Sequence, residues 1–93
     1  VAKAKHIDEA KRFEDLPNIG KEMAKDFVRL GLSHPKELAG QNADDLFERI
    51  QELTSTRHDP CVLDTYRAVV DFANGGPVRP WWDYTPLRKG DGK

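Results

Sequence analysis

The six residues Leu16-Pro17-Asn18-Ile19-Gly20-Lys21, with Ala24 and the apolar pair Phe27-Val28 after them, constrain this chain more than any other stretch. Pro17 forbids a helix through residue 16, and Gly20 is suited to opening the next one. Such a sequence predicts a very tight hairpin between two helices. A turn of that kind points successive backbone N–H groups outward at the positive end of a helix dipole, an arrangement that suits a phosphate.

The pattern resembles the helix-hairpin-helix motif, a module that binds nucleic acid without reading its sequence. Its usual form is Leu-Pro-Gly-Ile-Gly followed by a small residue one turn on. Asn18 stands where the first glycine usually sits, and asparagine is the commonest other residue to accept a left-handed backbone. The motif implies phosphate contact through Pro17, Asn18, Ile19, Gly20 and Lys21, with the amides of Asn18, Gly20 and Lys21 as donors. It also implies a monovalent cation at the carbonyls of Glu14, Leu16 and Ile19. Lys21, Lys25 and Arg29 follow at i+4 steps and form a basic ridge suited to continued backbone contact. In the competing reading the hairpin is a packing connector, and Glu22 and Asp26 pair with the ridge.

The rest of the chain is consistent with an all-α domain of five short helices. The first is expected from Ile7 to about Asp15, with Ile7, Ala10 and Phe13 on one face. The second is expected from Gly20 to about Leu30, burying Met23, Ala24, Phe27 and Val28, with Gly31 ending it. Ser33-His34-Pro35 starts a single turn through Ala39, closed by Gly40. Asn42 caps a fourth helix over Ala43 to Leu53, whose apolar face is Leu46, Phe47, Ile50 and Leu53. Asp59-Pro60 opens a broadly apolar fifth helix to about Ala73, expected to be central. Asn74-Gly75-Gly76-Pro77 stops it. The segment from Val78 to Pro86 is expected to be a non-helical strap carrying two tryptophans. Residues 1–6 and 87–93 are expected to be flexible, leaving a domain over 7–86. The second hairpin, Thr54 to Asp59, has no glycine and is too long for a phosphate-facing turn, so the helix-hairpin-helix (SAM-like) layout is degenerate there.

Charge limits what a ligand can meet. The net charge of −1 weighs against strong nonspecific DNA binding. Residues 1–40 carry 8 Lys/Arg against 7 Asp/Glu, residues 77–93 carry 4 against 2, and residues 41–76 carry 3 against 7. An anionic ligand is therefore expected at the first hairpin and not at the acidic middle. With 38% hydrophobic residues and no run approaching the roughly 18 needed to span a bilayer, no membrane role is expected. Lys3, Lys5 and His6 precede no apolar stretch, so no signal peptide is expected. The single cysteine, Cys61, fits a reducing cytoplasm.

Hairpin, Leu38-Ala39-Gly40, Arg57-His58-Asp59-Pro60-Cys61-Val62-Leu63-Asp64 and Trp81-Trp82 together resemble the small bacterial pathogenicity-locus proteins, often labelled mitomycin-resistance-protein-like. The resemblance runs from about Phe13 to Tyr84. It implies a compact helix-hairpin-helix fold and a DNA-related role, in repair or damage resistance.

No complete catalytic set is visible, so an enzyme is not expected. Cys61 near a helix start with His58 upstream lacks an orienting group and an oxyanion pocket, which favours a structural thiol. His58, Asp59, Cys61 and Asp64 match no zinc spacing; Asp59 reads as a cap and Asp64 as a surface partner of Arg67 or Arg57. No metal centre or other cofactor is expected. His6 and His34 are expected to face solvent, His34 beside a helix start. Trp81, Trp82 and Tyr84, beside Arg79 and Arg88, suit base stacking. The plainer reading lays one tryptophan over the core and turns the other outward. The principal expectation is a DNA-backbone binder with weak, salt-dependent affinity. The alternative is a protein-docking adaptor that uses the tryptophan strap or the acidic helix face.

Overall fold

Ile7, Ala10, Phe13 and Leu16 recur every three residues, and all four are buried. An α-helix turns about 100° per residue, so positions three apart drift until the first and fourth lie about 180° apart. A spacing of three suits a 3-10 turn, and the segment adopts two of them in place of one α-helix. In the computed structural model, which describes residues 4–78 and 80–84, they are Ile7–Glu9 and Phe13–Asp15. Arg12 between them is extended, at φ −128° and ψ 157°. The Asp15 carboxylate accepts the Lys11 and Arg12 N–H groups at 3.1 and 3.0 Å, replacing the bonds a helix would have made. Packing extends back to Ala4, inside the 1–6 stretch. Ala4 is buried, and its N–H donates to the Asp15 carbonyl at 2.8 Å. The remaining terminal expectations, for residues 1–3 and 85–93, lie outside the described residues, as does Arg79.

Three α-helices follow: α1 (Lys21–Arg29), α2 (Ala43–Thr54) and α3 (Pro60–Ala73), with further 3-10 turns at Pro35–Leu38 and Trp81–Tyr84. No strand occurs among the described residues. The caps are largely those the sequence announces. Asn42 accepts the Asp45 N–H at 3.0 Å and Asp59 the Cys61 N–H at 3.0 Å. Gly31, at φ +88°, lets the Leu32 N–H reach back to the Phe27 carbonyl and close α1. His34 caps its turn through the Lys36 N–H at 3.1 Å. His6 does the same for the Ile7–Glu9 turn, accepting from the Asp8 N–H at 3.3 Å.

The central element is α3, packed against α2 and both later 3-10 turns. It buries residues on most of its circumference, including Asp64, Tyr66, Ala68, Val69 and Phe72. Asp64 is therefore an interior residue and not a surface one, and Arg67 pairs with Asp44, at 3.2 Å. A chain of rings ties the layers together. Phe13 meets Phe27 at 5.2 Å between centroids, Phe27 meets Tyr66 at 5.3 Å, and Tyr66 meets Phe47 at 6.4 Å edge-on. Two residues assigned to buried stripes lie outside them. Val28 is 63% exposed because α1 packs on the narrower face of Met23, Phe27 and Leu30, and Leu53, in the last turn of α2, is 58% exposed.

The Val78–Pro86 strap, expected to be non-helical, contains a 3-10 turn, and its inward residue is a tyrosine. Tyr84 is buried and its hydroxyl donates to Asp71 at 2.7 Å. Trp81 and Trp82 meet edge to face at 5.7 Å; Trp81 is half-buried and Trp82 exposed.

The Ser33–Glu37 turn makes a pH-dependent contribution. The Ser33 N–H, the Ser33 hydroxyl and the His34 N–H all donate to Glu37 Oε1. These donors, the Ser33 N–H foremost, hold the carboxyl below its usual 4.5. A depressed folded-state value stabilises above the unfolded value, and that stability is lost as pH falls through the folded one. Glu37→Gln is expected to melt lower than the parent at pH 7, with the difference vanishing at pH values well below 4.5. Thermal melts of both proteins across pH 2–7 measure it, and a difference that persists at the acid end contradicts the assignment.

Candidate nucleic-acid interface

The hairpin hangs from its two apolar residues. Leu16 and Ile19 are fully buried and Pro17 between them is buried too, Asn18 is half-buried, and the chain becomes exposed from Gly20. Asn18 takes the left-handed conformation at φ 70°, as its place in the turn requires. The Ile19 N–H donates to the Leu16 carbonyl at 3.3 Å and closes the loop.

Gly20 is the N-cap of α1 and offers no side-chain acceptor. In α2 and α3 the cap side chain covers a first-turn amide. In α1 the N–H groups of Gly20, Lys21, Glu22 and Met23 have no acceptor among the described residues. Nothing in the fold demands glycine here. Its φ is −101°, open to any residue, and an added Cβ would meet nothing within 4 Å. The missing side chain leaves the amides uncovered at the positive end of the helix.

The cationic ridge is present but partly neutralised. Lys25 Nζ lies 3.7 Å from Glu22, and Arg29 Nη1 lies 2.9 Å from Asp26, which is nearly buried. Lys21 makes no ion pair among the described residues and stands exposed beside the uncovered amides. The charge nearest the hairpin is therefore the one available to an anion.

Beside the ridge runs a feature the sequence did not announce. A groove of about 300 Å³ is lined by Arg12, Phe13, Glu14, Lys21, Ala24, Lys25 and Val28. Ala24 and Val28 sit four apart on α1, parallel to Lys21 and Lys25, and that much was readable. Arg12 is extended and Phe13 opens a 3-10 turn, in the segment that the sequence reads as α-helix.

The other candidates are structural in their geometry. His58 Nε2 lies 3.2 Å from Thr54 Oγ1, the His58 N–H donates to Gln51 at 2.9 Å, and Asp59 caps α3. No group of three or more metal-ligating side chains gathers among the described residues. No described helix is long and apolar enough to cross a membrane.

The family model described as Cdd1, pathogenicity locus, matches residues 6–90. The chain belongs to the pathogenicity-locus family. The chain is 43% identical over 74 residues to "Mitomycin resistance protein McrB" of Streptomyces lavendulae, covering 80% of this chain and 70% of that protein. No solved structure matches the chain significantly. The family match spans the hairpin, the ridge and α3 alike.

Proposed function

We propose that this pathogenicity-locus protein binds the DNA phosphate backbone without reading sequence, through a helix-hairpin-helix turn at Pro17–Lys21, in a role related to resistance against DNA damage. The observation that carries the reading is the row of uncovered amides from Gly20 to Met23 at a glycine the fold does not need. Four N–H groups at a helix start, with Lys21 beside them, match a phosphate in charge and in hydrogen-bond sense. Lys25 and Arg29 extend the contact once an incoming phosphate competes with Glu22 and Asp26. A monovalent cation at the carbonyls of Glu14, Leu16 and Ile19 would add charge at the same turn; the Leu16 carbonyl keeps a second lone pair beyond its long bond to Ile19. The relative's name, a mitomycin resistance protein, supports the resistance part of the reading.

The test is fluorescence anisotropy with duplexes of unrelated sequence, in potassium buffer at two salt concentrations. All sequences are expected to bind alike, with affinity falling steeply as salt rises. Lys21→Ala with Lys25→Ala is expected to weaken binding about tenfold and to flatten the salt slope by about two phosphates, with the melting temperature unchanged. Unchanged affinity in that variant contradicts the assignment of this face.

A second reading has its own observation. Trp82 is 60% exposed and Val78 51% exposed at the end of the fold away from the hairpin in sequence. An adaptor docking through that strap would bind a protein partner insensitively to salt and to hairpin substitutions.

A further inference from the structure

The groove beside the hairpin holds more than a phosphate needs. Its lining is apolar at Phe13, Ala24 and Val28 and carries Arg12, Lys21, Lys25 and Glu14; Arg12 and Lys25 have only loose partners outside it, Asp15 and Glu22, each at 3.7 Å. A bare phosphate makes no use of an apolar lining, and a purely apolar ligand makes no use of three cations. The ligand that satisfies both is an anion carrying a flat apolar face. About 300 Å³ is at the lower end of the volume range of small-molecule sites and accommodates a single ring system, not the width of a docked helix. Lys21 belongs both to the groove and to the first turn of α1, where the amides stand uncovered. A nucleotide phosphate at those amides therefore sets its neighbouring base beside the groove.

We infer that the groove between Arg12–Glu14 and α1 seats one unpaired nucleobase, so that the preferred ligand is DNA with an exposed single nucleotide at a gap, flap or end. This deepens the proposed phosphate binding and rests on it. The Arg12 guanidinium, 64% exposed and held only loosely by Asp15 at 3.7 Å, is placed to lie over a base. Val28, 63% exposed on a helix whose core face is already satisfied, supplies the opposite contact. Base pairing would hide that face, so a blunt duplex reaches the amides but not the apolar lining.

The experiment uses two short duplexes of equal phosphate count, one fully paired and one carrying a single unpaired 2-aminopurine nucleotide. The unpaired form is expected to bind at least about fivefold tighter, the low end of what one stacked base supplies, with a change in 2-aminopurine fluorescence on binding. Val28→Ser is expected to remove that preference and Val28→Phe to increase it, both leaving the paired duplex's affinity unchanged. Equal affinity of the parent protein for the two duplexes overturns the groove assignment and leaves phosphate binding standing. A preference that survives Val28→Ser also overturns it. Failure of both duplexes to bind at low salt overturns the phosphate reading and the groove together. Displacement of the probe by an acidic amphipathic peptide, with no displacement by unlabelled gapped DNA, overturns it in favour of a protein ligand.

Discussion

Replacing Phe27 with alanine is expected to destabilise the protein by about 3–5 kcal/mol and to lower its melting point by at least about 12 °C. Phe27 has no exposed surface and touches both Phe13 and Tyr66, the rings on either side of it in the chain that joins the hairpin segment to α3. Its removal leaves a cavity where α1 meets the rest of the fold, and small domains have little stability in reserve. Tyr66 provides the contrast. Its ring is packed on Phe27 and Phe47, but its hydroxyl is buried and has no hydrogen-bond partner among the described residues. Burial, and secondarily the charge of Asp26, pushes that phenol above its usual value of 10. Tyr66→Phe keeps the packing and removes the unpartnered group, so it is expected to be neutral or to stabilise by about 1 kcal/mol. Urea denaturation of the three proteins measures both effects. A loss under about 1 kcal/mol for Phe27→Ala contradicts the view that the ring chain holds the hairpin in place.

How much of this was legible depended on which force governed each segment. The caps at Asn42 and Asp59 and the stop at Gly31 were read correctly because a local hydrogen bond or a left-handed φ decides them. The N-terminal segment was read as one helix because Ile7, Ala10 and Phe13 share a face for two turns. The fourth member of that row, Leu16, shows the period to be three, and the Asp15 carboxylate, which accepts from Lys11 and Arg12, is a local competitor for backbone N–H groups that apolar periodicity does not register. Asp64 and Val28 exchanged their expected places because burial depends on which elements pack on α3 and α1. The hairpin, Gly20 and the lysine ridge were visible as a motif. The pairing of Lys25 and Arg29 with Glu22 and Asp26 was visible as the competing reading. The groove was not, since Arg12, Phe13 and Glu14 belong to the segment that folds as 3-10 turns in place of an α-helix.

Gly20→Asp separates binding from folding. Aspartate is a good N-cap, and the backbone at Gly20, φ −101° and ψ −172°, accepts it without strain. Its carboxylate would accept the first-turn amides and sit at the positive helix end, so the variant is expected to be more stable by about 0.5–1 kcal/mol. Under the proposed binding, the same carboxylate would occupy the place of the phosphate and repel it. DNA affinity is expected to fall about a hundredfold, the equivalent of roughly 2.7 kcal/mol, through lost charge-assisted bonds and added repulsion. A protein that melts higher and no longer binds is hard to explain by any role of the hairpin in packing alone. A variant that binds DNA as the parent does shows that the amides are not the phosphate site.

The most direct measurement is a backbone-amide NMR titration with short paired and gapped DNA, in potassium buffer at low and high salt. The phosphate reading predicts shifts centred on Asn18 to Lys25, largest at Gly20, Lys21 and Glu22 and diminished by salt. Absence of shifts in that stretch at low salt, or shifts confined to Val78–Tyr84, would contradict it.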